Sequence, residues 1–100
     1  TYIDDVVEIL FKLKDVKFKK NQIFNICSNK PIHIKKLMSY LINKTKYKKI
    51  TNVKHNNYEV FKTHGKNNKI LKTVKFKKFS EFYKNVDVTI DWYKYYNNLL

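Results

Sequence analysis

Ile34, Leu37, Met38, Leu41 and Ile42 fall at i, i+3, i+4, i+7 and i+8, the complete pattern of a helix that buries one face. A stripe of that kind needs a core to pack on, and 100 residues supply one small domain. The spacing predicts a helix over Ile34–Asn43, preceded by His33 at a cap position where serine or threonine would be stronger. Ile3, Val6, Val7, Leu10 and Leu13 predict a second helix over Asp4–Lys14, with Asp4 or Asp5 as its cap. Phe82, Val86, Ile90 and Tyr93 predict a third over Ser80–Asn97, flanked by Trp92 and capped by Ser80. Glu81 and Asp87 place negative charge in its N-terminal half. Ile70, Leu71 and Val74 suggest a short further helix, and a turn follows over Lys75–Ser80.

Between these helices the pattern changes. Gln22–Cys27, with Ile23, Phe24 and Ile26, reads as a short strand, and Ser28-Asn29-Lys30-Pro31 reads as a turn. Lys49–Lys54 alternates through Ile50 and Val53 and suggests a second strand. Lys12–Asn21 reads as a solvated basic loop. Asn56–Lys69 is polar, contains the single glycine, Gly65, and is the best candidate for an irregular functional loop. The expected fold class is therefore α/β, with about three main helices and one or two short strands. Val6, Leu10, Phe24, Ile26, Leu37, Leu41, Phe82 and Ile90 are the expected core. A helix through Ile23–Cys27, or an all-β chain, would contradict this reading.

The formal net charge of +14 suggests nucleic acid or an anionic surface as a partner. Composition offers another cause. All 22 basic residues are lysine, alanine is absent as well as arginine, and asparagine, isoleucine, tyrosine and phenylalanine are abundant. That is the signature of AT-rich codons, and a dedicated nucleic-acid reader would use arginine's planar fork. Only non-specific, low-salt attraction to nucleic acid is expected. No run of apolar residues approaches the length of a membrane span, and no signal peptide is visible, so no membrane partner is expected. Cys27 has no second cysteine to pair with and fits a reducing compartment, most simply the cytoplasm. It reads as a small buried thiol, and His33, His55 and His64 do not combine with it at a metal-ligand spacing.

Five segments carry a family resemblance: TYIDD (Thr1–Asp5), FNICSNKP (Phe24–Pro31), IKKLMSYL (Ile34–Leu41), NYEVFKTHGKNNKIL (Asn57–Leu71) and VKFKKF…VTIDWYKYY (Val74–Tyr96). The first, second, fourth and fifth resemble "RDFTYIDD", "YNIGSGKP", "PGDVLKTYADISKL" and "IGFKPKTSLEEGLKKTIDWYKEYY". The third resembles the apolar helix that follows the second. All belong to the extended short-chain dehydrogenases, the NAD-dependent sugar-nucleotide epimerases and dehydratases. The resemblance covers nearly the whole chain in family order. It departs at the family's glycines, which become Cys27, Tyr58, Lys75 and Asn85, and at its alanine-aspartate pair, which becomes Gly65-Lys66. The arginine that grips the substrate in several relatives falls at Asn56, and the aspartate beside it falls at Glu59.

The resemblance implies that residues 1–100 are a single C-terminal, substrate-side subdomain of a nucleotide-sugar isomerase or dehydratase. Its N-terminal Rossmann domain would lie outside this chain, and Thr1, not being a start methionine, fits such a fragment. The parent would use NAD and a "YxxxK" proton-transfer pair. One glycine cannot make the family's glycine-rich fingerprint, and Tyr40 with Lys44 has the pair's spacing in the wrong part of the family order. The chain alone is therefore expected to bind no cofactor and turn nothing over. The implied substrate contacts are Asn56, Glu59, Lys62 and Lys66, with Lys54, Lys62 and Lys66 available to a diphosphate. The implied partners are a sugar nucleotide, the missing Rossmann domain and a second copy of the parent enzyme. The alternative function is a stand-alone basic module for nucleic acid or anionic surfaces.

Overall fold

A computed structural model describes residues 1–54 and 56–98. Its regular secondary structure is entirely helical: α1 (Ile3–Leu13), α2 (Ile34–Thr45), α3 (Asn68–Val74) and α4 (Phe82–Tyr96). The α/β expectation is thus overturned, since neither Ile23–Cys27 nor Lys49–Lys54 forms a strand. A strand exists through its ladder, and no described segment pairs with Ile23–Cys27. Its backbone is served by side chains instead. Ile23 O accepts from Lys69 Nζ at 2.9 Å and Cys27 O from Asn67 Nδ2 at 2.8 Å, while Ser28 N donates to Thr1 Oγ1 at 3.1 Å. The segment is not helical either.

The helices agree with the apolar spacing to within one or two residues at most ends. Their caps do not. Tyr2 precedes α1 without a side-chain cap, and Asp4 and Asp5 lie inside its first turn. Glu81, not Ser80, caps α4, its carboxylate accepting from the amides of Tyr83 and Lys84. Helix α2 ends at Lys46 in the left-handed region (φ 60°), with Lys46 N donating to Ile42 O, and α3 ends at Lys75 (φ 51°).

The described residues form two compact units, Thr1–Ser28 with Gly65–Leu100, and Asn29–His64. The core belongs to the first. Ile9 of α1, Ile70 and Val74 of α3, and Phe76 and Phe79 of the connection to α4 are buried together. Leu13, Phe24, Ile26 and Leu71 are partly buried against them, and α1 packs on α3. Of the expected core, only Phe24 and Ile26 join this cluster. Val6, Leu37, Leu41, Phe82 and Ile90 are half-buried away from it, and Leu10 is exposed. The second unit has no buried side chain among its described residues. No described helix is long and apolar enough to cross a membrane.

Candidate functional site

The residues expected to contact substrate fall in both units. Asn56 and Glu59 form one turn. Asn56 Oδ1 accepts from Tyr58 N at 3.2 Å, Asn56 O accepts from Glu59 N at 3.0 Å, and Glu59 Oε2 accepts from Asn56 N at 3.4 Å. Asparagine suits this position because its short amide mimics the next turn of backbone. The turn presents Tyr58 to solvent, and Lys54 and Lys62 are exposed on either side of it in sequence. Lys66 is exposed in the other unit, where it follows Gly65 into α3. His55 lies outside the described residues, and His64 is exposed. No group of three histidine, cysteine or acidic side chains among the described residues could hold a metal.

Tyr40 and Lys44 do meet, but as a packing pair. They lie one turn apart on α2, and the Lys44 ammonium sits 5.3 Å from the centroid of the Tyr40 ring. Tyr58 and Lys62 share the same spacing. No helix spans them to bring them onto one face.

Two features lay beyond the sequence. A shallow, open depression of about 330 Å³ is lined by His33, Lys35, Lys36 and Ser39 at the start of α2. Its one sequence signal is a first turn with two lysines and no acid, the reverse of what the helix dipole favours. The second feature is an interlock in the larger unit, assembled from segments far apart in the chain. Cys27 is half-buried, and its Sγ would stand 2.8 Å from a Cβ built on Gly65, closer than real contacts allow. Asn67 Nδ2, two residues on, holds the carbonyl of the same cysteine. Glycine at 65 is thus favoured by close approach rather than by backbone conformation, since its φ is negative and a Cβ there would make the Cys27 sulfur shift. Asp5, buried in α1, accepts from both the amide and the hydroxyl of Ser80.

No family model, curated protein or solved structure matches this chain.

Proposed function

We propose that this chain is the substrate-side portion of an NAD-dependent sugar-nucleotide epimerase or dehydratase, with no turnover of its own. The observation that carries the reading is the contact of Gly65 with Cys27 Sγ. The family segments quoted above have glycine at the position of Cys27 and alanine at that of Gly65. Here the sizes are exchanged: a side chain has appeared at 27 and a methyl has gone at 65. Such an exchange is what two touching positions demand when one of them grows. A second observation points the same way. Lys75 also stands where the family has glycine, and it occupies the left-handed conformation that glycine adopts without strain.

In this reading NAD is held outside this chain. The chain's one glycine is seated against Cys27, and no glycine-rich turn leads into a helix where a pyrophosphate could approach the backbone. The cofactor and the proton-transfer pair belong to the parent's other domain in this reading. What this chain contributes is the turn at Asn56–Glu59 with Lys62. Asn56 offers an amide and Lys62 a mobile ammonium to an anionic sugar nucleotide. Lys66, in the other unit, is the remaining residue of the expected contact set. The lone cysteine suits the reducing cytoplasm.

The coding sequence upstream of Thr1 tests the proposal. An in-frame segment containing a strand, a glycine-rich turn and a helix supports it. A stop codon followed by an independent start overturns it. On the joined protein, Asn56→Ala and Lys62→Ala should each weaken UDP-glucose binding in a calorimetric titration.

A further inference from the structure

The unit Asn29–His64 has a charge pattern that codon bias leaves unexplained. AT-rich codons replace arginine by lysine, but they encode aspartate and glutamate freely. Seven of the eight acidic residues nevertheless lie in the other unit, and Glu59 is the exception. Nine lysines against one glutamate give these 36 residues a net charge of +8. The same unit buries no described side chain, yet it exposes large apolar ones. Ile34 is 68% exposed, Val53 85%, Tyr58 94% and Val60 71%. Tyr58 is set at the tip of the Asn56–Glu59 turn by the hydrogen bond from its amide to Asn56 Oδ1.

We propose that the Asn29–His64 unit docks on an anionic lipid surface, its lysines on the headgroups and the side chains of Val53, Tyr58 and Val60 in the acyl boundary. Three features favour this occupant. Lipid headgroups attract cations as a field, for which lysine point charges suffice without arginine's fork. Val53 and Val60 have no ring to stack on a base, and they and the exposed rings of Tyr47, Tyr58 and Phe61 all partition into the interface of a bilayer. Tyrosine, with an apolar body and a polar tip, suits the headgroup boundary. Basic residues beside exposed apolar ones give the two attractions that stable surface binding requires. A second copy of the chain is disfavoured by like charge. The inference goes beyond the enzyme reading, with which it shares the Asn56–Glu59 turn, and it departs from the sequence-based expectation of no membrane partner, which rested on the lack of a spanning run and of a signal peptide.

Vesicle flotation of the full chain tests it, with phosphatidylcholine alone and with about 30% phosphatidylserine, at low and near-physiological salt. Binding to the anionic vesicles should exceed binding to neutral ones by at least about tenfold and leave a residue at the higher salt, because apolar insertion is not screened. Tyr58→Ser with Val60→Ser should remove that residue while leaving the circular dichroism unchanged. Lys48→Gln, Lys49→Gln and Lys54→Gln together should weaken binding more than the matched set Lys17→Gln, Lys19→Gln and Lys20→Gln in the other unit. Equal losses from the two lysine sets would mean that net charge alone is responsible and would overturn the proposal. So would binding that vanishes with salt and ignores Tyr58→Ser/Val60→Ser. Displacement from vesicles by a 20-nucleotide RNA whose affinity at the higher salt exceeds that of the vesicles would assign the surface to nucleic acid instead.

Discussion

The Asp5 carboxylate joins the first helix to the start of the last, accepting the Ser80 amide at 3.1 and 3.3 Å and the Ser80 hydroxyl at 2.7 Å across 75 residues of sequence. Asp5 is 8% exposed, whereas its neighbour Asp4 is exposed. Hydrogen bonds to a charged acceptor contribute about 1.5–3 kcal/mol each, net of the bonds to water that they replace. Asp5→Ala should therefore lower stability by about 2 kcal/mol. Asp4→Ala, which loses only an interaction with the helix dipole, should cost less than about 1 kcal/mol. Urea midpoints of the two variants decide this, and equal shifts would mean that the Asp5–Ser80 link contributes nothing beyond charge.

Gly65 and Cys27 make a coupled pair. Gly65→Ala places a Cβ 2.8 Å from the Cys27 sulfur, so one of the two must move. Overpacking of this kind costs about 1–3 kcal/mol. Cys27→Ala removes the obstructing atom and leaves the Cys27 Cβ position at 3.7 Å, an ordinary contact. The double variant should thus be more stable than the sum of the single effects predicts, with a coupling of about 1 kcal/mol or more. Strict additivity in thermal denaturation would show that the contact is not strained by the methyl.

The core gives the plainest measure of what could be read in advance. The helices were legible because stripes such as Ile34 to Ile42 have one period and one interpretation. In α1 the stripe misleads: Ile3, Val6, Val7, Leu10, Phe11 and Leu13 share one broad apolar arc opposite Asp4, Asp5, Glu8 and Lys12, with Ile9 at its edge. The face that is buried runs through Asp5 and Ile9, and an aspartate marks it as polar until Ser80 is known to meet it. Phe76 and Phe79 lie in a lysine-rich connection that reads as a turn, yet both are buried and pack edge-to-face at 5.0 Å. The site was legible only as a loop. The Asn56–Glu59 turn follows from asparagine chemistry, but the Cys27–Gly65 contact depends on segments distant in the chain. Ile70 is fully buried and Leu37 is not, so Ile70→Ala should cost about 2–5 kcal/mol and Leu37→Ala distinctly less. Chemical denaturation that ranks them the other way would place the core elsewhere.

Lys75 offers a gain. It holds φ at 51° where α3 ends, a conformation that costs a side chain with a Cβ roughly 1–2 kcal/mol. Glycine there relieves the clash but adds backbone freedom to the unfolded chain. Lys75→Gly should accordingly stabilise by about 0.5–1 kcal/mol, read as a rise in the melting midpoint. Lys72→Gly, in the interior of the same short helix, should do the opposite by about 1 kcal/mol. A loss of stability in both would show that the left-handed cap is not strained at lysine.

Glu81 ties α4 to pH. Its carboxylate accepts from Lys84 N at 2.8 Å and Tyr83 N at 3.1 Å, and these two amides, the first more strongly, hold its pKa below the ordinary glutamate range. Protonation weakens both bonds, so the folded chain takes up this proton at lower pH than the unfolded chain. The stabilisation is complete above the unfolded value of about 4.3 and is lost as pH falls through the lowered folded value. Glu81→Gln keeps an acceptor but removes the titration. Following α4 by circular dichroism from about pH 6 to about pH 2.5, the parent chain should lose helix more steeply below about pH 4 than Glu81→Gln. Parallel curves would assign the acid sensitivity to other carboxylates. Because the group is fully exposed, added salt should shrink the difference without abolishing it, since the two amide bonds persist when long-range charge is screened.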